Sequence, residues 1–376
     1  MNKKKILYIV NIPEFFLSHR LALAILAKDN GYEVHVATSY SGGIESIDQI
    51  SSYGFKCHKV FLERGSLGAY SNLKSLYSIY KVIQSLSPDV LHLLTAKCII
   101  YGGVSSKLLN TRRVIHAVTG LGYVFLDSAK LHKNILKKIV LYLYKISIKG
   151  SSTVIFQNRD NMKLFLNNKV INKGQESLIY GSGVDPNIYS FSEELPSEVL
   201  TVLFPSRLLI DKGLITFLEA AKILRKNIKI KMVLAGDIDE DNPNSISTSE
   251  LNKWVESNLV EWLGHVEDMP DMLSKSSIVC LPTYYPEGVP KVLIEAASCG
   301  RAIITTDTPG CNEIVHNNYN GMLIPIKSPK HLADAITKLS EDSLMRNVFG
   351  KNSRDLVLQK FSSDIVNNLT VHLYLG

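Results

Sequence analysis

Residues 284–300 read YYPEGVPKVLIEAASCG, a loop that runs into a helix and carries two carboxylates. Glu287 lies in the predicted loop, and Glu295 lies in the predicted helix, which Gly300 ends. Apolar, strand-like runs at residues 277–282 and 302–306 flank the segment. The pattern predicts a strand, loop, helix and strand of a parallel α/β sheet. The loop then marks the carboxyl end of a strand, where open sheets bind ligands.

The start of this helix is the first candidate for ligand binding. The backbone N–H groups of Gly288, Val289 and the first helical turn would suit a phosphate, because a helix N-terminus attracts negative charge. The alternative is an ordinary surface helix on which both glutamates are solvated.

The composition is that of a globular protein with more than one domain. The 376 residues exceed the usual size of one core, and 45% apolar with 20% charged residues excludes a disordered chain. Five cysteines are scattered without a CxxC pair, which indicates free thiols in a reducing compartment. The apolar run at residues 6–10 is too short for a signal peptide, and no run of about 18 apolar residues predicts a membrane span.

Strand-like and helix-like runs alternate along most of the chain, which predicts an α/β protein with doubly wound parallel sheets. After a strand at residues 6–10, for example, we expect one helix at residues 17–28. Turn-rich residues 181–186 and acidic residues 190–197 interrupt this alternation and are typical of a linker.

These interruptions divide the chain into two similar halves. We expect an N-terminal Rossmann-like domain at residues 1–185 and a C-terminal Rossmann-like domain at residues 186–360. A last helix at residues 361–376 would cross back to the first domain. Two such halves would face each other across a cleft.

Two cations lie in the predicted loop after the first strand of the second half. Arg207 and Lys212, which Gly213 follows, would suit a diphosphate, because guanidinium groups fork onto phosphate oxygens and ammonium groups act as point charges. The spacing is not that of a P-loop, and the absence of a GxGxxG run argues against a dinucleotide dehydrogenase. A solvated helix start is the alternative.

Five short motifs occur in a fixed order in this half. They are Arg207 with Lys212-Gly213, Gly236-Asp237, Gly264-His265-Val266, Glu287-Gly288 and Glu295-Ala296. The ordered set resembles the C-terminal half of family 4 glycosyltransferases, which are retaining, nucleotide-sugar-dependent enzymes with the GT-B fold. The resemblance spans essentially the whole chain and is strongest at residues 199–325.

Two segments of the first half resemble a smaller group of enzymes within this family. FFLSHR at residues 15–20 and AVTGLGYVF at residues 117–125 are similar to bacterial enzymes that extend lipid-linked O-antigen and capsule polysaccharides. Those enzymes include N-acetylhexosaminyl transferases, among them N-acetylgalactosaminyl transferases, that act on undecaprenyl-diphosphate sugars.

The resemblance implies a UDP-sugar site in the second half. Arg207 and Lys212 would hold the diphosphate, Glu287 would lie against the donor sugar, and these three are the candidate catalytic residues. Glu295 would bind the ribose hydroxyls. The full set of candidate donor-binding residues is Arg207, Lys212, Gly213, His265, Val266, Gly288, Val289, Pro290, Lys291, Val292 and Glu295. Fixed cations suit a reaction in which the diphosphate gains negative charge.

Acceptor contacts are expected from His19, Thr119 and Gly120 of the first half. Many family members carry a histidine immediately before this glycine, whereas this chain has Thr119 there and His116 three residues earlier. We interpret His116 as a structural strand residue rather than a base. His19 either contacts the acceptor or packs its own helix. Without a side-chain base, the departing phosphate oxygen would take the proton of the acceptor.

Residues 129–150 predict a helix that lies on an anionic membrane surface. Six lysines and no acidic residue are interleaved with apolar residues at helical spacing. The alternative is a core helix with a solvated lysine face. Nucleic acid is not an expected partner, because no base-stacking module is present.

The resemblance thus implies a retaining transferase that moves an N-acetylhexosamine, in the first place N-acetylgalactosamine, from a UDP-sugar to an undecaprenyl-diphosphate-linked saccharide. A lone Asp237 makes no cation site, so we expect metal-independent transfer without a cofactor. The expected location is cytoplasmic, at the inner face of the plasma membrane. Two alternatives are a nucleotide-sugar or anion-binding module without transfer, and a GT-B epimerase or phosphorylase.

Overall fold

The computed structural model describes residues 3–40, 44–63, 68–126, 131–227, 229–240, 242 and 244–375, with the backbone alone at residues 123 and 131–133. Ala129 and Lys130, the first two residues of the predicted membrane-surface segment, lie outside the described residues. The chain divides into two units. Unit 1 contains Met1–Ser182 and Asp364–Gly376, and unit 2 contains Gly183–Ser363.

Unit 1 is a parallel sheet of seven strands in the order β3-β2-β1-β4-β5-β6-β7. The strands are β1 (Lys5–Ile9), β2 (Glu33–Thr38), β3 (Lys56–Lys59), β4 (Val90–Leu94), β5 (Arg113–Val118), β6 (Thr153–Phe156) and β7 (Glu176–Leu178). The helices are α1 (Pro13–His19), α2 (Leu21–Asp29), α3 (Ile44–Ser52), α4 (Ala69–Leu86), α5 (Ala96–Leu108), α6 (Leu131–Ser147), α7 (Arg159–Asn167) and, at the end of the chain, α15 (Ser363–Leu375).

Apolar layers cover both faces of this sheet. The side chains of β1 alternate between the two layers: Leu7 lies in one layer and Tyr8 in the other. Helices α4, α5, α6 and α7 contribute to the layer that contains Leu7, and helices α2 and α15 contribute to the layer that contains Tyr8. Strands covered on both faces read as continuous apolar runs, as β4 does with its sequence VLHLL.

The single helix predicted at residues 17–28 is wrong, because the chain forms two helices that meet at Arg20. Arg20 has φ −134° and ψ −6°, outside the helical range. Its buried guanidinium donates to the carbonyl oxygen of His19 over 2.9 Å. In a continuous helix, that oxygen would accept from the N–H four residues later. A side chain therefore replaces a backbone hydrogen bond, which the apolar periodicity did not reveal.

Helix α15 packs on the sheet of unit 1 through Tyr374. The Tyr374 hydroxyl lies 2.7 Å from Nδ1 of His92 and 3.2 Å from the Tyr8 hydroxyl, and the Tyr32 hydroxyl donates to the Tyr374 carbonyl oxygen over 3.1 Å. All four side chains are buried, and burial raises the pKa of Tyr374 well above its usual range. The last helix of the chain is therefore part of the core of unit 1.

Unit 2 contains a second parallel sheet, of six strands in the order β10-β9-β8-β11-β12-β13. The strands are β8 (Leu200–Pro205), β9 (Ile230–Ala235), β10 (Glu261–Trp262), β11 (Ile278–Leu281), β12 (Ala302–Thr306) and β13 (Gly321–Ile324). The helices are α8 (Leu214–Leu224), α9 (Thr248–Glu256), α10 (Met269–Ser274), α11 (Lys291–Ser298), α12 (Cys311–Ile314), α13 (Pro329–Glu341) and α14 (Ser343–Leu356). None of the helices among the described residues is long and apolar enough to cross a membrane.

The predicted linker is packed against unit 2 by arginines. Arg354 donates to the carbonyl oxygens of Pro186 and Tyr189 over 3.1 and 2.9 Å. Arg301 and Arg346 are both buried. The guanidinium group of Arg301 donates to Ser192, and that of Arg346 donates to the carboxylate of Glu194. A buried guanidinium needs such partners, so these acidic and turn-forming residues are an ordered part of unit 2.

The burial of Tyr374 predicts a large and local effect on stability. In Tyr374→Ala, the lost ring leaves a cavity and removes the partner of His92, so the free energy of unfolding should fall by about 3–5 kcal/mol. Urea denaturation followed by circular dichroism measures this change. His372→Ala, which alters an exposed residue of the same helix, should change stability by less than about 0.5 kcal/mol. Equal losses in the two variants would contradict the packing of α15.

Candidate functional site

The motif residues of unit 2 follow the carboxyl ends of four parallel strands. Arg207 and Lys212 follow β8, Asp237 follows β9, His265 follows β10, and Glu287 follows β11. Strands β8 and β11 are neighbours at the centre of the sheet, and from them the chain order runs outward in opposite directions. A crevice at such a switch point is where doubly wound sheets bind ligands.

An ion pair between Lys212 and Glu287 joins the loops after β8 and β11. The two side chains are only 16% and 14% exposed. The ring of Tyr285 also lies close, with its centroid 5.6 Å from Nζ of Lys212. Because charges so little hydrated are stable only when paired, the ion pair fixes both side chains at the centre of the sheet edge.

Two glycines allow the loops of this edge to approach one another. Gly213 has φ +88°, and a Cβ atom there would lie 2.1 Å from the carbonyl oxygen of Pro282. Gly310 has φ +92°, and a Cβ atom there would lie 1.8 Å from the carbonyl oxygen of Gly288. Any other residue would force the loops apart, and with them Lys212 and Glu287.

Asp211 also joins the loop after β8 to the loop after β11. Its carbonyl oxygen accepts from the Tyr284 N–H over 3.0 Å and from the Thr283 hydroxyl over 3.2 Å. Its buried carboxylate accepts from the Asn244 amide over 3.2 Å, while Oδ1 has no hydrogen-bond partner in the part of the chain that the structure describes. Burial raises the pKa of this carboxyl, and the nearby charge of Lys212 opposes that shift.

Arg207 and His265 lie at the more exposed margin of the edge. Nη1 of Arg207 is 2.6 Å from Oδ2 of Asp239, and about half of the Arg207 side chain is exposed. Nδ1 of His265 lies 3.5 Å from Oδ2 of Asp237, with both side chains mostly exposed. Val266 is half-buried. A ligand bound at this margin would therefore replace Asp239 as the partner of Arg207, or Asp237 as the partner of His265.

Helix α11 carries the second glutamate of the opening stretch. Gly288, Val289 and Pro290 are buried just before the helix, and Val292 is half-buried in its first turn. Glu295 in this helix is buried, its Oε1 lies 2.9 Å from Nζ of Lys291, and its carboxylate adjoins Tyr189. Burial and this charge raise the pKa of Tyr189. The alternative of a solvated surface helix is therefore wrong for Glu295.

The acceptor candidates lie along one edge of the sheet of unit 1. Thr119 and Gly120 directly follow β5, and His19 ends α1, which follows β1. The His19 ring stacks on Phe15 at a centroid distance of 4.3 Å, and its Nδ1 lies 2.6 Å from the Ser18 hydroxyl. The ring thus packs on its own helix and remains half-exposed, so that an acceptor can still reach it.

His116 does not have the surroundings of a base. It is fully buried in β5, and neither ring nitrogen has a hydrogen-bond partner among the described residues. Burial lowers its pKa to about 3, so the imidazole is neutral at physiological pH. The geometry agrees with a structural role for His116.

The structure adds three residues to the candidate donor site. They are Asp211 beneath Lys212, Asp239 beside Arg207 and Tyr189 beside Glu295. Asp211 could have been found as the neighbour of Lys212 in the sequence, but Tyr189 lies between the two segments that are typical of a linker. Among the described residues, no three His, Cys, Asp or Glu side chains form a group that could hold a metal.

Comparisons with known proteins agree with this architecture. Residues 186–356 match the family "Glycosyl transferases group 1", and residues 5–158 match "Glycosyl transferase 4-like". A glycosyltransferase structure from Rickettsia africae superposes with a TM-score of 0.79 at 19% identity and covers 100% of this chain and 98% of its own. The structure of Anabaena HepE in complex with UDP gives a TM-score of 0.76 at 19% identity, with 98% of both chains covered.

Two curated relatives act on lipid-linked sugars according to their names. The N,N'-diacetylbacillosaminyl-diphospho-undecaprenol alpha-1,3-N-acetylgalactosaminyltransferase of Campylobacter jejuni is 30% identical over 96% of this chain and 97% of its own length. The UDP-Gal:alpha-D-GlcNAc-diphosphoundecaprenol alpha-1,3-galactosyltransferase of Escherichia coli is 25% identical over 79% and 78%.

Two doubly wound parallel sheets, with the candidate donor residues at the carboxyl edge of the second, define a glycosyltransferase with the GT-B fold. Within that class, the chain belongs to the family 4 glycosyltransferases. The family assignment and the fold expected from the sequence are confirmed.

The buried carboxyl of Asp211 predicts a pH-dependent stability. Because its pKa is raised in the folded protein, the folded state holds the proton more tightly than the unfolded chain, and stability falls as the carboxyl ionises. Asp211→Asn removes this cost but keeps an oxygen for Asn244. Its stability relative to the wild type should therefore rise as the pH increases above about 4 towards 7.

Urea denaturation at a series of pH values measures this difference. Asp334→Asn is the matched control, because the carboxylate of Asp334 is exposed on α13 and stays in water when the chain folds. If the stability difference between Asp211→Asn and the wild type were the same at every pH, the carboxyl of Asp211 would not be costly to ionise in the fold.

Proposed function

We propose that the protein transfers an N-acetylhexosamine, in the first place N-acetylgalactosamine, from a UDP-sugar to an undecaprenyl-diphosphate-linked saccharide, with retention at the anomeric carbon. The product would be an O-antigen or capsule precursor. The observation that carries the proposal is the Lys212–Glu287 ion pair, which joins the loops after the central strands β8 and β11 of unit 2. The name of the 30% identical relative supports the sugar and the lipid carrier.

The donor would lie along the carboxyl edge of the sheet of unit 2. Lys212 and Arg207 would bind the diphosphate, together with backbone around Gly288 and the start of α11. Glu295 would accept from the ribose hydroxyls, and the backbone at His265 would adjoin the base. In the structure Lys212, Lys291 and Arg207 are each paired with a carboxylate. The diphosphate would therefore compete with these carboxylates for cations that are already in position.

Charge development during transfer explains why both members of the central pair would matter. As the bond from the anomeric carbon to the diphosphate breaks, the sugar becomes cation-like and the phosphate oxygen gains negative charge. Glu287 would favour the positive sugar, and Lys212 would stabilise the leaving diphosphate. The departing oxygen would accept the proton of the incoming hydroxyl, so that no side-chain base is required. With Lys212 and Arg207 in these positions, we propose that transfer needs no metal.

The acceptor would approach the edge of unit 1 that carries His19, Thr119 and Gly120. Its lipid carrier would lie in the membrane, and we propose that the lysines of α6 contact the anionic inner face of the plasma membrane. Lys138 and Lys145 are exposed on this helix, which has no acidic residue. The protein would then work as a peripheral enzyme on the cytoplasmic side.

The central pair predicts a loss of transfer rate in the folded enzyme. Lys212→Ala and Glu287→Gln should each lower kcat about 10²–10³-fold, because each removes a charge that stabilises the transition state. Transfer from UDP-N-acetylgalactosamine to a short-chain undecaprenyl-diphosphate sugar analogue measures the rate. Lys222→Ala and Glu219→Gln are matched controls on exposed positions of the nearby helix α8. Full activity of Lys212→Ala or Glu287→Gln would disprove the assigned roles.

A panel of radiolabelled nucleotide sugars separates the proposed function from its alternatives. Transfer of label to the lipid acceptor identifies the donor and excludes a binding module. A change of the free nucleotide sugar without transfer would instead identify an epimerase. Binding of UDP without turnover of any sugar would leave only the non-catalytic module. The anomeric configuration of the product tests retention.

A further inference from the structure

We propose that α4 and α6 form a single membrane-docking face of unit 1, in which α4 inserts tyrosine and leucine side chains into the surface of an anionic bilayer. This proposal rests on the proposed function, because a lipid-linked acceptor places the enzyme at a membrane. It adds a second helix that the sequence pattern of residues 129–150 did not include.

Helix α4 exposes apolar side chains in a line along its outer surface. Tyr70, Leu73 and Tyr77 are 80%, 65% and 62% exposed. Their spacing of three and four residues places them on one side of the helix. Ile79 and Ile83 on the opposite side are buried against the sheet, so the exposed line is additional to the residues that the core needs. Lys74 and Lys81 lie beside the line and are exposed.

Helix α6 carries a similar line. Ile135, Ile139, Tyr142 and Ile146 are exposed at helical spacing. Helix α5 packs against α4 on one side and against α6 on the other, and all three cover the same side of the sheet. We define the exposed side chains of Tyr70, Leu73, Tyr77, Ile135, Ile139 and Tyr142 as the docking face.

The charges of these three helices have one sign. Helices α4, α5 and α6 contain no aspartate or glutamate, and they carry two, two and four lysines. Helices that contribute to the other side of the sheet do carry acids, for example Asp29 in α2 and Asp364 in α15. Helix α7 on the same side carries Asp160, so the absence of acids is a property of α4, α5 and α6 and not of the whole chain.

An anionic bilayer fits this combination better than other partners do. Tyrosine prefers the interface between water and lipid, isoleucine and leucine prefer hydrocarbon, and lysine is attracted by anionic headgroups. A symmetric dimer through the same face would bring lysines against lysines. A nucleic acid would satisfy the lysines but would leave the aliphatic side chains without an apolar partner.

Binding to vesicles without any sugar donor tests the docking face. Wild-type protein should sediment with vesicles of phosphatidylglycerol and phosphatidylethanolamine. The variant with Tyr70→Ser, Leu73→Ser and Tyr77→Ser should have a partition coefficient about 10-fold lower, because less apolar area enters the bilayer. Its residual binding should fall further between about 0.1 and 1 M NaCl, since salt screens the lysines.

Two further variants keep the test specific. Leu344→Ser with Val348→Ser removes equally exposed apolar residues from α14 of unit 2 and should leave vesicle binding unchanged. Tyr70→Trp with Tyr77→Trp should bind at least as well as the wild type, because tryptophan also favours the interface. Circular dichroism and UDP binding, both unchanged, would show that the serine variant is folded.

Several results would overturn the proposal. Wild-type binding by the serine variant would assign docking to α6 alone, and no binding of the wild type would exclude a bilayer. If the serine substitutions dissociated a dimer in sedimentation velocity without altering vesicle binding, the face would instead be an interface between copies. Transfer to a water-soluble, short-chain acceptor is measured separately. Failure of that transfer would count against the proposed function and not against docking.

Discussion

The Lys212–Glu287 ion pair is the contact on which the candidate site of unit 2 depends. It joins the loops of the two central strands, and both charges are too poorly hydrated to lose their partner without a large free-energy cost. Gly213 and the backbone of Asp211 bring the loops close enough for the pair to form. A diphosphate that bound here would meet a cation already held in place, which avoids the cost of ordering a flexible lysine.

Hydrogen bonds from the half-buried Arg354 support the neighbouring helix α11 of unit 2. Arg354 donates to the Ser298 hydroxyl and carbonyl oxygen at the end of α11, and to the carbonyl oxygen of Tyr189 in the segment before β8. Tyr189 in turn adjoins the carboxylate of Glu295 on α11. A stretch that looks like a linker therefore supports the helix that would bind the ribose. The site and its support belong to one unit.

In unit 1 the acceptor candidates and the docking face lie on separate parts of the surface. Its acceptor candidates follow β1 and β5 at the carboxyl edge of the sheet, whereas the docking face lies on the helices that cover one side. The exposed apolar line of α4 has no role in the core, because Ile79 and Ile83 of the same helix fill that layer. A surface of this kind costs solubility unless a partner covers it, and its lysines partly offset that cost.

The sequence predicted the two parallel sheets and the family because both depend on local patterns. Alternating strand-like and helix-like runs gave the sheets, and the motifs around Arg207, Gly236, Gly264, Glu287 and Glu295 all follow strands of unit 2. The apolar periodicity did not predict the break between α1 and α2 at Arg20. There a buried side chain replaces a backbone hydrogen bond and ends a helix.

Pairings between distant residues were decided by the tertiary structure alone. Lys212 and Glu287 are 75 residues apart, and Arg354 and Tyr189 are 165 apart, so nothing in either local sequence names the partner. The exposed line of α4 was also hidden, because the same i, i+3, i+4 spacing describes a buried and an exposed apolar stripe equally well. The sequence by itself determined which residue types lie at the ends of the strands. The tertiary structure determined which of these residues meet. Only folding brings separate loops to one edge of a sheet and turns one side of a helix to the solvent.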